Sequence, residues 1–455
     1  MTYYLDPFGC VKNQVDAENM MALLNSAGWT EAEDADIADL LIVNSCGFIE
    51  SAKQESINAV LSWRKLYPQK KILLAGCLTQ RYAKELAETL PEADGLFGNS
   101  DLSGIVQAAT LAASSSHKGT KAQRESEIKD SFFPSASKRL DTGKRPLLSL
   151  PGSAYVKISE GCDNRCSYCA IPLIRGELRS RGVSDITKEC ITLLGRGIKE
   201  LCLVGQDTGS YGRDSAACSK LSGLMEAISG LEGEFQIRLL YIHPDHFPLS
   251  ILDIIKGDKR FLPYFDIPMQ HASEKILRLM NRRGNAASYL ELIKTIRSRF
   301  PDAAIRSTFM TGFPGETEED FQMLLDFQQK ASLDWLGCFA YSREEDTPAY
   351  GMKGRVAKKT AAERKRLIEE RQIPITEKQM ERFVGRIFDV LVEEKFTAPD
   401  PASGEEYLHL GRLPFQAPEV DGAAVILSPV PLEPGTLVPC RIITRAGFDL
   451  KVRPA

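Results

Sequence analysis

Short apolar runs alternate with longer amphipathic stretches over the first hundred residues. Apolar runs at 3–5, 40–43 and 72–75 have the length of buried strands. Each run is followed by a stretch whose apolar residues recur at helical spacing, namely 15–27, 52–66 and 79–90. This alternation predicts a parallel sheet flanked by helices.

The same alternation resumes near residue 154 and repeats six times. Strands are predicted at 154–158, 201–205, 237–242, 264–268, 305–310 and 336–341. Helical stretches such as 186–194, 275–280 and 320–328 fall between them. A serial βα chain of this kind closes or partly closes into a barrel, with its chemistry at the C-terminal ends of the strands. Six units instead of eight predict an open, partial barrel whose lateral mouth could admit a macromolecule.

The remaining segments do not show this alternation of strands and helices. Residues 114–152 are rich in Ser, Lys, Gly and Pro and are predicted to form a linker. Residues 354–384 are helical and locally basic, which is typical of a solvated connecting helix. Short β-rich segments at 387–392, 423–427, 437–443 and 448–452 predict a small antiparallel barrel. The predicted fold class is therefore α/β, with domains at 1–113, 153–353 and 385–455.

Composition narrows the class of protein. The 455 residues are 26% charged and 43% hydrophobic, which is typical of a soluble globular chain. No signal peptide and no apolar run of membrane-spanning length is present, so a cytoplasmic protein without a membrane partner is expected. Eleven cysteines in such a chain indicate metal or redox chemistry more than a disulfide framework. The net charge of −4 argues against bulk binding of nucleic acid and leaves a local patch open.

Three cysteines form a CxxxCxxC motif directly after the strand at 154–158. They are Cys162, Cys166 and Cys169. The spacing is too tight for a zinc ribbon, which uses two separated pairs. A cubane iron–sulfur cluster usually takes four thiolates, so three would leave one iron open for a small molecule. Structural thiols or a zinc knuckle are the alternatives, but the spacing, the preceding strand and the aromatic Tyr168 favour a cluster.

Three more cysteines stand where a strand gives way to a helix. Cys10, Cys46 and Cys77 follow the first, second and third predicted strands. The loops after parallel strands gather at one edge of the sheet, so these thiols are expected to converge. The sequence therefore predicts a second three-thiol site, with buried cysteines acting as small hydrophobes as the alternative.

Taken together, these motifs resemble the radical S-adenosylmethionine (radical SAM) methylthiotransferases over nearly the whole chain. An N-terminal domain with three dispersed cysteines, a barrel with CxxxCxxC and a C-terminal barrel called a TRAM domain occur in that order. The segments GCVKNQVDAE at 9–18, IPLIRG at 171–176 and APEVDG at 417–422 are similar to those of the members that act on small-subunit ribosomal protein S12.

The resemblance implies two [4Fe–4S] clusters and S-adenosylmethionine as cofactors. The cluster on Cys162, Cys166 and Cys169 would receive an electron from an external donor and cleave S-adenosylmethionine to a radical. That radical would remove hydrogen from the β-carbon of an aspartate in the ribosomal protein. The cluster on the N-terminal cysteines would deliver sulfur, with a methyl group from a second S-adenosylmethionine. Such chemistry is beyond any side-chain acid or base.

Residues at other strand ends are predicted to contact S-adenosylmethionine. Gln206 follows the second barrel strand, Arg306 lies on the fifth, and Gly312 begins a Gly-rich turn after it. Tyr168 belongs to the same predicted set. His243 and His246 lack a third ligand nearby, so a structural role or a role behind the metal ligands is expected.

Two other functions remain open from the sequence. One is methylthiolation of a modified adenosine in tRNA, and the other is a noncatalytic iron–sulfur protein that binds RNA. The region 385–455 has ten acidic and seven basic side chains, a net charge of −3. An acidic barrel suits a basic ribosomal protein better than RNA phosphates. Glu419 and Asp421 are therefore predicted to help bind the ribosomal protein, while an RNA contact through the TRAM domain stays open.

Overall fold

The computed structural model describes residues 1–115, 144–215, 220–396 and 406–455. Most of the predicted linker at 114–152, together with Cys218, lies outside the described residues. None of the helices in the described parts of the chain combines the length and apolar character needed to cross a bilayer.

The N-terminal domain is a five-stranded parallel sheet in the order β2-β1-β3-β4-β5. Its strands are β1 (Thr2–Pro7), β2 (Thr30–Glu31), β3 (Leu40–Ser45), β4 (Lys71–Gly76) and β5 (Gly95–Phe97). Its helices are α1 (Val11–Ser26), α2 (Glu50–Leu66), α3 (Cys77–Thr89) and α4 (Ile105–Ser114). Every residue of β3 is buried, because separate apolar clusters cover the two faces of the sheet. The three predicted strands and helices are confirmed, and β2, β5 and α4 are additional.

Six parallel strands form the central domain. In chain order its elements are β6 (Ser153–Lys157), β7 (Ser159–Glu160), α5 (Ile171–Arg175), β8 (Arg179–Ser180), α6 (Val183–Gly195), β9 (Glu200–Val204), α7 (Leu221–Ser229), β10 (Gln236–Leu239), α8 (Ile251–Gly257), β11 (Tyr264–Asp266), α9 (Glu274–Leu279), α10 (Ala286–Arg299), β12 (Ala304–Thr311), α11 (Glu318–Ala331) and β13 (Trp335–Ala340). The short strands β7 and β8 pair with each other on either side of the CxxxCxxC loop.

The six long strands of the central domain follow one another in space as they do in sequence. Two three-stranded sheets, β6-β9-β10 and β11-β12-β13, are joined by the bonds from Ile242 N to Asp266 O (2.9 Å) and from Leu262 N to Ile237 O (2.8 Å). β6 and β13 are the two edges, so the barrel is open between them. The predicted partial barrel is confirmed.

The basic helix after the barrel packs against it, contrary to the solvated helix that the sequence predicted. This helix is α12 (Lys358–Glu381), and Ala361, Ile368 and Met380 on one of its faces are buried. Arg364 in its basic stretch is also buried, because it pairs with Glu316 at 2.6 Å. The sequence showed the positive charges of this helix but could not show the carboxylate that neutralises one of them.

The C-terminal domain is a closed five-stranded barrel in the order β14-β15-β16-β18-β17. Its strands are β14 (Ile387–Lys395), β15 (Tyr407–Arg412), β16 (Ala424–Ser428), β17 (Leu437–Ala446) and β18 (Asp449–Pro454). The four predicted strands are confirmed, and β15 was missed. The buried positions of β15 include His409 and Arg412. Because these residues are polar, β15 lacks the alternation of apolar and polar residues that indicates a half-buried strand.

A buried group of charges joins the C-terminal barrel to the central domain. Glu200 on β9 pairs with Arg238 on β10 at 2.7 Å and with Arg412 of the C-terminal barrel. Arg412 also bonds Glu393 at 2.8 Å. Trp335 donates its indole N–H to the carbonyl of Phe415 at 2.7 Å. These contacts attach the C-terminal barrel to β9, β10 and β13 of the central domain.

Candidate active site

The CxxxCxxC loop is shaped by backbone that only glycine tolerates. Gly161 has φ +75°, and a Cβ on it would lie 2.0 Å from the carbonyl oxygen of Glu177. The backbone N–H of Cys162 donates to the carbonyl of Gly176 at 3.1 Å. The carboxylate of Asp163 accepts from the N–H of Leu178 at 2.9 Å. The loop is thus folded back on the segment that follows it.

The three thiols of this loop lie close enough to interact electrostatically with one another. Burial raises the pKa of Cys162 to about 12, and the sulfur of Cys166 adds to the shift. Burial likewise raises the pKa of Cys169, reinforced by Cys166 and Cys162. His243 and Arg282 each place a nitrogen 3.9 Å from the sulfur of Cys166. The predicted trio is therefore one group of sulfurs with cationic and imidazole groups beside it.

Asp207 anchors this loop to the end of β9. Its carboxylate accepts hydrogen bonds from the side chain of Asn164 at 2.9 Å and from the backbone N–H of His243 at 3.0 Å. His246 lies 2.8 Å from the same carboxylate. The two histidines therefore lie behind the cysteine loop, where the sequence predicted a structural role or a role behind the metal ligands.

The structure also brings the three N-terminal cysteines together. Cys10 precedes α1, Cys46 follows β3, and Cys77 begins α3. Each of Cys46 and Cys77 interacts electrostatically with Cys10, and Cys46 also interacts with Cys77. Burial tends to raise the pKa of Cys10, but the charges of Lys12 and Arg175 and two backbone N–H groups lower it. The predicted convergence is confirmed, and it follows from the parallel sheet.

Arg175 links the N-terminal thiol site to the segment that carries the CxxxCxxC loop. Arg175, at the end of α5, donates to the sulfur of Cys77 at 3.3 Å. Its guanidinium also bonds Asp16 and Glu160, each at 2.8 Å. Ala170 and Ile174 of the same segment pack against Cys77. Helix α5 and its flanks, which follow the CxxxCxxC loop in the chain, thus contact the N-terminal thiol site. No sequence signal beyond the IPLIRG resemblance indicated this contact.

The four predicted contacts to S-adenosylmethionine lie in two different places. Gln206 donates to Glu160 at 3.0 Å, and its buried amide oxygen has no hydrogen-bond partner within the described residues. The hydroxyl of Tyr168 lies 3.4 Å from Arg282. Gln206 and Tyr168 thus border the cysteine loop, and the unpaired amide oxygen is an acceptor available to a ligand.

Arg306 and Gly312 have protein partners of their own. Arg306 pairs with Asp266 at 3.3 Å and with Asp421 of the C-terminal barrel at 3.4 Å. The backbone N–H of Gly312 donates to Glu316 at 2.7 Å. Their contacts to S-adenosylmethionine stay predictions, and the structure adds a role for each in holding elements of the fold together.

Gly312→Ala is expected to destabilise the fold by about 2–3 kcal/mol. Gly312 has φ +76°, and a Cβ there would lie 2.3 Å from Cβ of Ala361 on α12. Gly195→Ala is the control, because a Cβ at Gly195 meets nothing within 4 Å. Denaturant unfolding measures both changes. Equal free energies of unfolding for the two variants would show that close packing of α12 does not require this glycine.

The donor chemistry of the two sites fits iron–sulfur clusters. Each site offers three cysteine thiols, the donors that such clusters take. In the parts of the chain that the structure describes, no three His, Cys, Asp or Glu side chains are grouped to hold a single metal ion. A four-iron cluster binds each thiolate to a different iron, so its ligands do not need that grouping. The unpaired amide oxygen of Gln206 adds an acceptor beside the CxxxCxxC site.

Comparisons with known proteins agree with the fold. Residues 156–327 match the Radical SAM superfamily, residues 384–454 match the TRAM domain, and residues 2–98 match the family described as Uncharacterized protein family UPF0004. The solved structure of the radical SAM methyltransferase TsrM from Kitasatospora setae has a TM-score of 0.55 at 13% identity, covering 76% of each chain. At that identity it supports the fold alone.

The fold and the cysteine loop define a radical SAM enzyme, which uses an iron–sulfur cluster and S-adenosylmethionine. "Ribosomal protein uS12 methylthiotransferase RimO" of Treponema denticola is 49% identical, covering 98% of this chain and 99% of the relative. The protein of the same name from Syntrophomonas wolfei is 39% identical, covering 97% of each. The chain belongs to the RimO family of radical SAM methylthiotransferases.

Proposed function

We propose that this enzyme methylthiolates the β-carbon of an aspartate in ribosomal protein uS12. Two [4Fe–4S] clusters would serve the reaction, one on Cys10, Cys46 and Cys77 and one on Cys162, Cys166 and Cys169. The observation that carries this proposal is the contact of Arg175 and its helix α5 with Cys77, directly after the CxxxCxxC loop. A reaction that removes hydrogen at one site and delivers sulfur from another needs the two sites this close.

The clusters and S-adenosylmethionine supply, when bound, the radical, the sulfur and the methyl group that no side chain can provide. The protein's own residues hold these groups in place. Asn164 and Asp207 fix the CxxxCxxC loop to the barrel. Arg175 directs its charge at Cys77, and Asp16 and Glu160 keep its guanidinium in position. Such fixed partners behind the ligands determine the orientation of a metal site.

The assignment of uS12 as the substrate is supported by the names of the relatives and by the acidic C-terminal barrel. One detail of the sequence argument is wrong. The carboxylate of Asp421 is buried and accepts hydrogen bonds from the hydroxyl of Tyr264 at 2.6 Å and the N–H of Ala417 at 2.8 Å. It pairs with Arg306 inside the domain interface, so it is not part of a surface for a partner. Glu419 is exposed and remains a candidate contact.

The proposed function predicts that uS12 carries a methylthio group only when this enzyme is present. Mass spectrometry of uS12 from cells with and without the gene should show one hydrogen replaced by one methylthio group on one aspartate. An external electron donor is required, and a ribosomal substrate implies that the enzyme works in the cytoplasm. Unmodified uS12 together with a methylthiolated adenosine in tRNA, found only when the gene is present, would overturn the assignment and support a tRNA substrate.

A further inference from the structure

We propose that Lys12 binds the carboxylate of the substrate aspartate and so favours aspartate over uncharged side chains such as asparagine. This inference rests on the proposed function and names the residue that recognises the reacting side chain. It depends on the position of Lys12, on the lack of an Asp or Glu ion-pair partner for it within the described residues, and on the chemistry of the β-carbon.

Lys12 reaches from the N-terminal domain to the mouth of the barrel. It lies in the first turn of α1, two residues after Cys10. Its ammonium stands 3.6 Å from the centre of the ring of Tyr241, the second residue after β10, at the C-terminal end of the barrel strands. The N–H of Tyr241 donates to Asp266 at 3.2 Å, and its carbonyl accepts from the N–H of Thr208 at 3.0 Å. The backbone that carries this ring is therefore held firmly in the active-site mouth.

The positive charge of Lys12 has no ion-pair partner among residues 1–115, 144–215, 220–396 and 406–455. Its contact is the face of Tyr241, which attracts a cation but does not neutralise it. Tyr241, the Cys10 thiol and Asp266 act on Lys12 electrostatically, and Asp266, the carboxylate among them, is itself paired with Arg306 at 3.3 Å. A partly buried cation without a carboxylate counterion is a ready site for a carboxylate.

The other cations near the thiols are already engaged. Arg175 is neutralised by Asp16 and Glu160, each at 2.8 Å. Arg282 donates to the carbonyl of Pro268 and lies beside Cys166 and Tyr168. Within the described residues, the ammonium of Lys12 donates to no carbonyl or carboxylate, so its three donors are available to an incoming carboxylate.

The chemistry of the substrate explains why a cation is needed at this place. The β-carbon of aspartate is bonded directly to its carboxyl carbon, so a residue that holds the carboxylate fixes the reacting carbon one bond away. Lys12 lies between the sulfur site of Cys10 and the barrel mouth that receives the CxxxCxxC loop. A lysine ammonium offers three donors and a full charge to the carboxylate. Asparagine has the same shape without the charge and would bind more weakly.

The test measures binding of purified uS12 to full-length, cluster-loaded enzyme. Two forms of uS12 are compared, the natural one and one whose modified aspartate, identified by mass spectrometry, is changed to asparagine. Wild-type enzyme is expected to bind the aspartate form on the order of 10- to 100-fold tighter, the value of a hydrogen bond to a charged group. Lys12→Met should bind both forms equally, and Lys12→Arg should keep a preference. Lys359→Met removes an exposed charge, 89% accessible, and should keep the wild-type preference.

A preference for the aspartate form that survives in Lys12→Met would overturn the inference. The iron content of each variant is measured first, and Lys12→Gln replaces Lys12→Met if the latter loads less iron. If the preference is lost in Lys359→Met as well, general charge and not Lys12 governs binding, and the inference fails. Failure of the proposed function has a different signature, because the wild-type enzyme would then neither prefer nor modify either form of uS12.

Discussion

Changing Cys162, Cys166 and Cys169 together to Ala is expected to remove about half of the iron of the loaded enzyme and all cleavage of S-adenosylmethionine. The thiols interact electrostatically with one another in a loop whose fold depends on Gly161 and Asp163. The cluster on these three cysteines would be the one that presents an open iron to S-adenosylmethionine. Iron analysis and the release of deoxyadenosine with dithionite as reductant measure the two effects.

The complementary variant separates the two sites. Changing Cys10, Cys46 and Cys77 to Ala should remove the other half of the iron and leave cleavage of S-adenosylmethionine measurable. Cys190, Cys338 and Cys440 are buried apart from both sites, and changing them to Ala should leave the iron content unchanged. Full iron content in the N-terminal triple variant would mean that these thiols are structural and that sulfur comes from elsewhere.

Arg412→Met is expected to lower the free energy of unfolding by about 3 kcal/mol at neutral pH. Arg412 and Arg238 both contact the carboxylate of Glu200 in the buried interface between the central domain and the C-terminal barrel. Removing one guanidinium leaves the buried negative charge of Glu200 with one cationic partner instead of two. Water cannot take the place of the lost partner at this buried position. Denaturant unfolding of wild type and variant measures the difference.

The effect of Arg412→Met should also depend on pH. Burial alone would raise the pKa of Glu200, but the charges of Arg412 and Arg238 lower it from 4.5 to about 2. A carboxyl whose pKa is lowered by folding stabilises the fold above its unfolded pKa and loses that contribution as the pH falls towards the folded pKa. The advantage of wild type over the variant should therefore be full at pH 7 and shrink progressively once the pH falls below about 4.5.

A surface pair in the same barrel provides the control for Arg412. Arg453 contacts Glu406 at 2.6 Å, with its side chain 50% exposed. Arg453→Met should change the free energy of unfolding by less than about 1 kcal/mol, as for other exposed ion pairs. If Arg412→Met behaved like this control at neutral pH, the buried charges would not contribute to holding the two domains together.

Local sequence determined the elements of this protein and the identity of its sulfur ligands. Apolar runs of strand length alternating with helical spacing predicted all six strands of the partial barrel, because this alternation follows from burial on the two sides of a sheet. The spacing of Cys162, Cys166 and Cys169 is itself a local feature. The convergence of Cys10, Cys46 and Cys77 was predictable because parallel strands place their following loops at one edge.

The tertiary structure alone decided which charges meet. The contacts that matter here join residues far apart in sequence, and no periodicity indicates them. They are Arg175 with Cys77, Lys12 with the ring of Tyr241, and Asp421 with Arg306. A charged residue looks the same in sequence whether water or a buried partner compensates it. For that reason the sequence did not predict the burial of α12 and of the Asp421 side chain, although it predicted the strands around them. An apolar strand is buried because of its own residues. A charged side chain is buried only where a partner, often distant in sequence, compensates its charge.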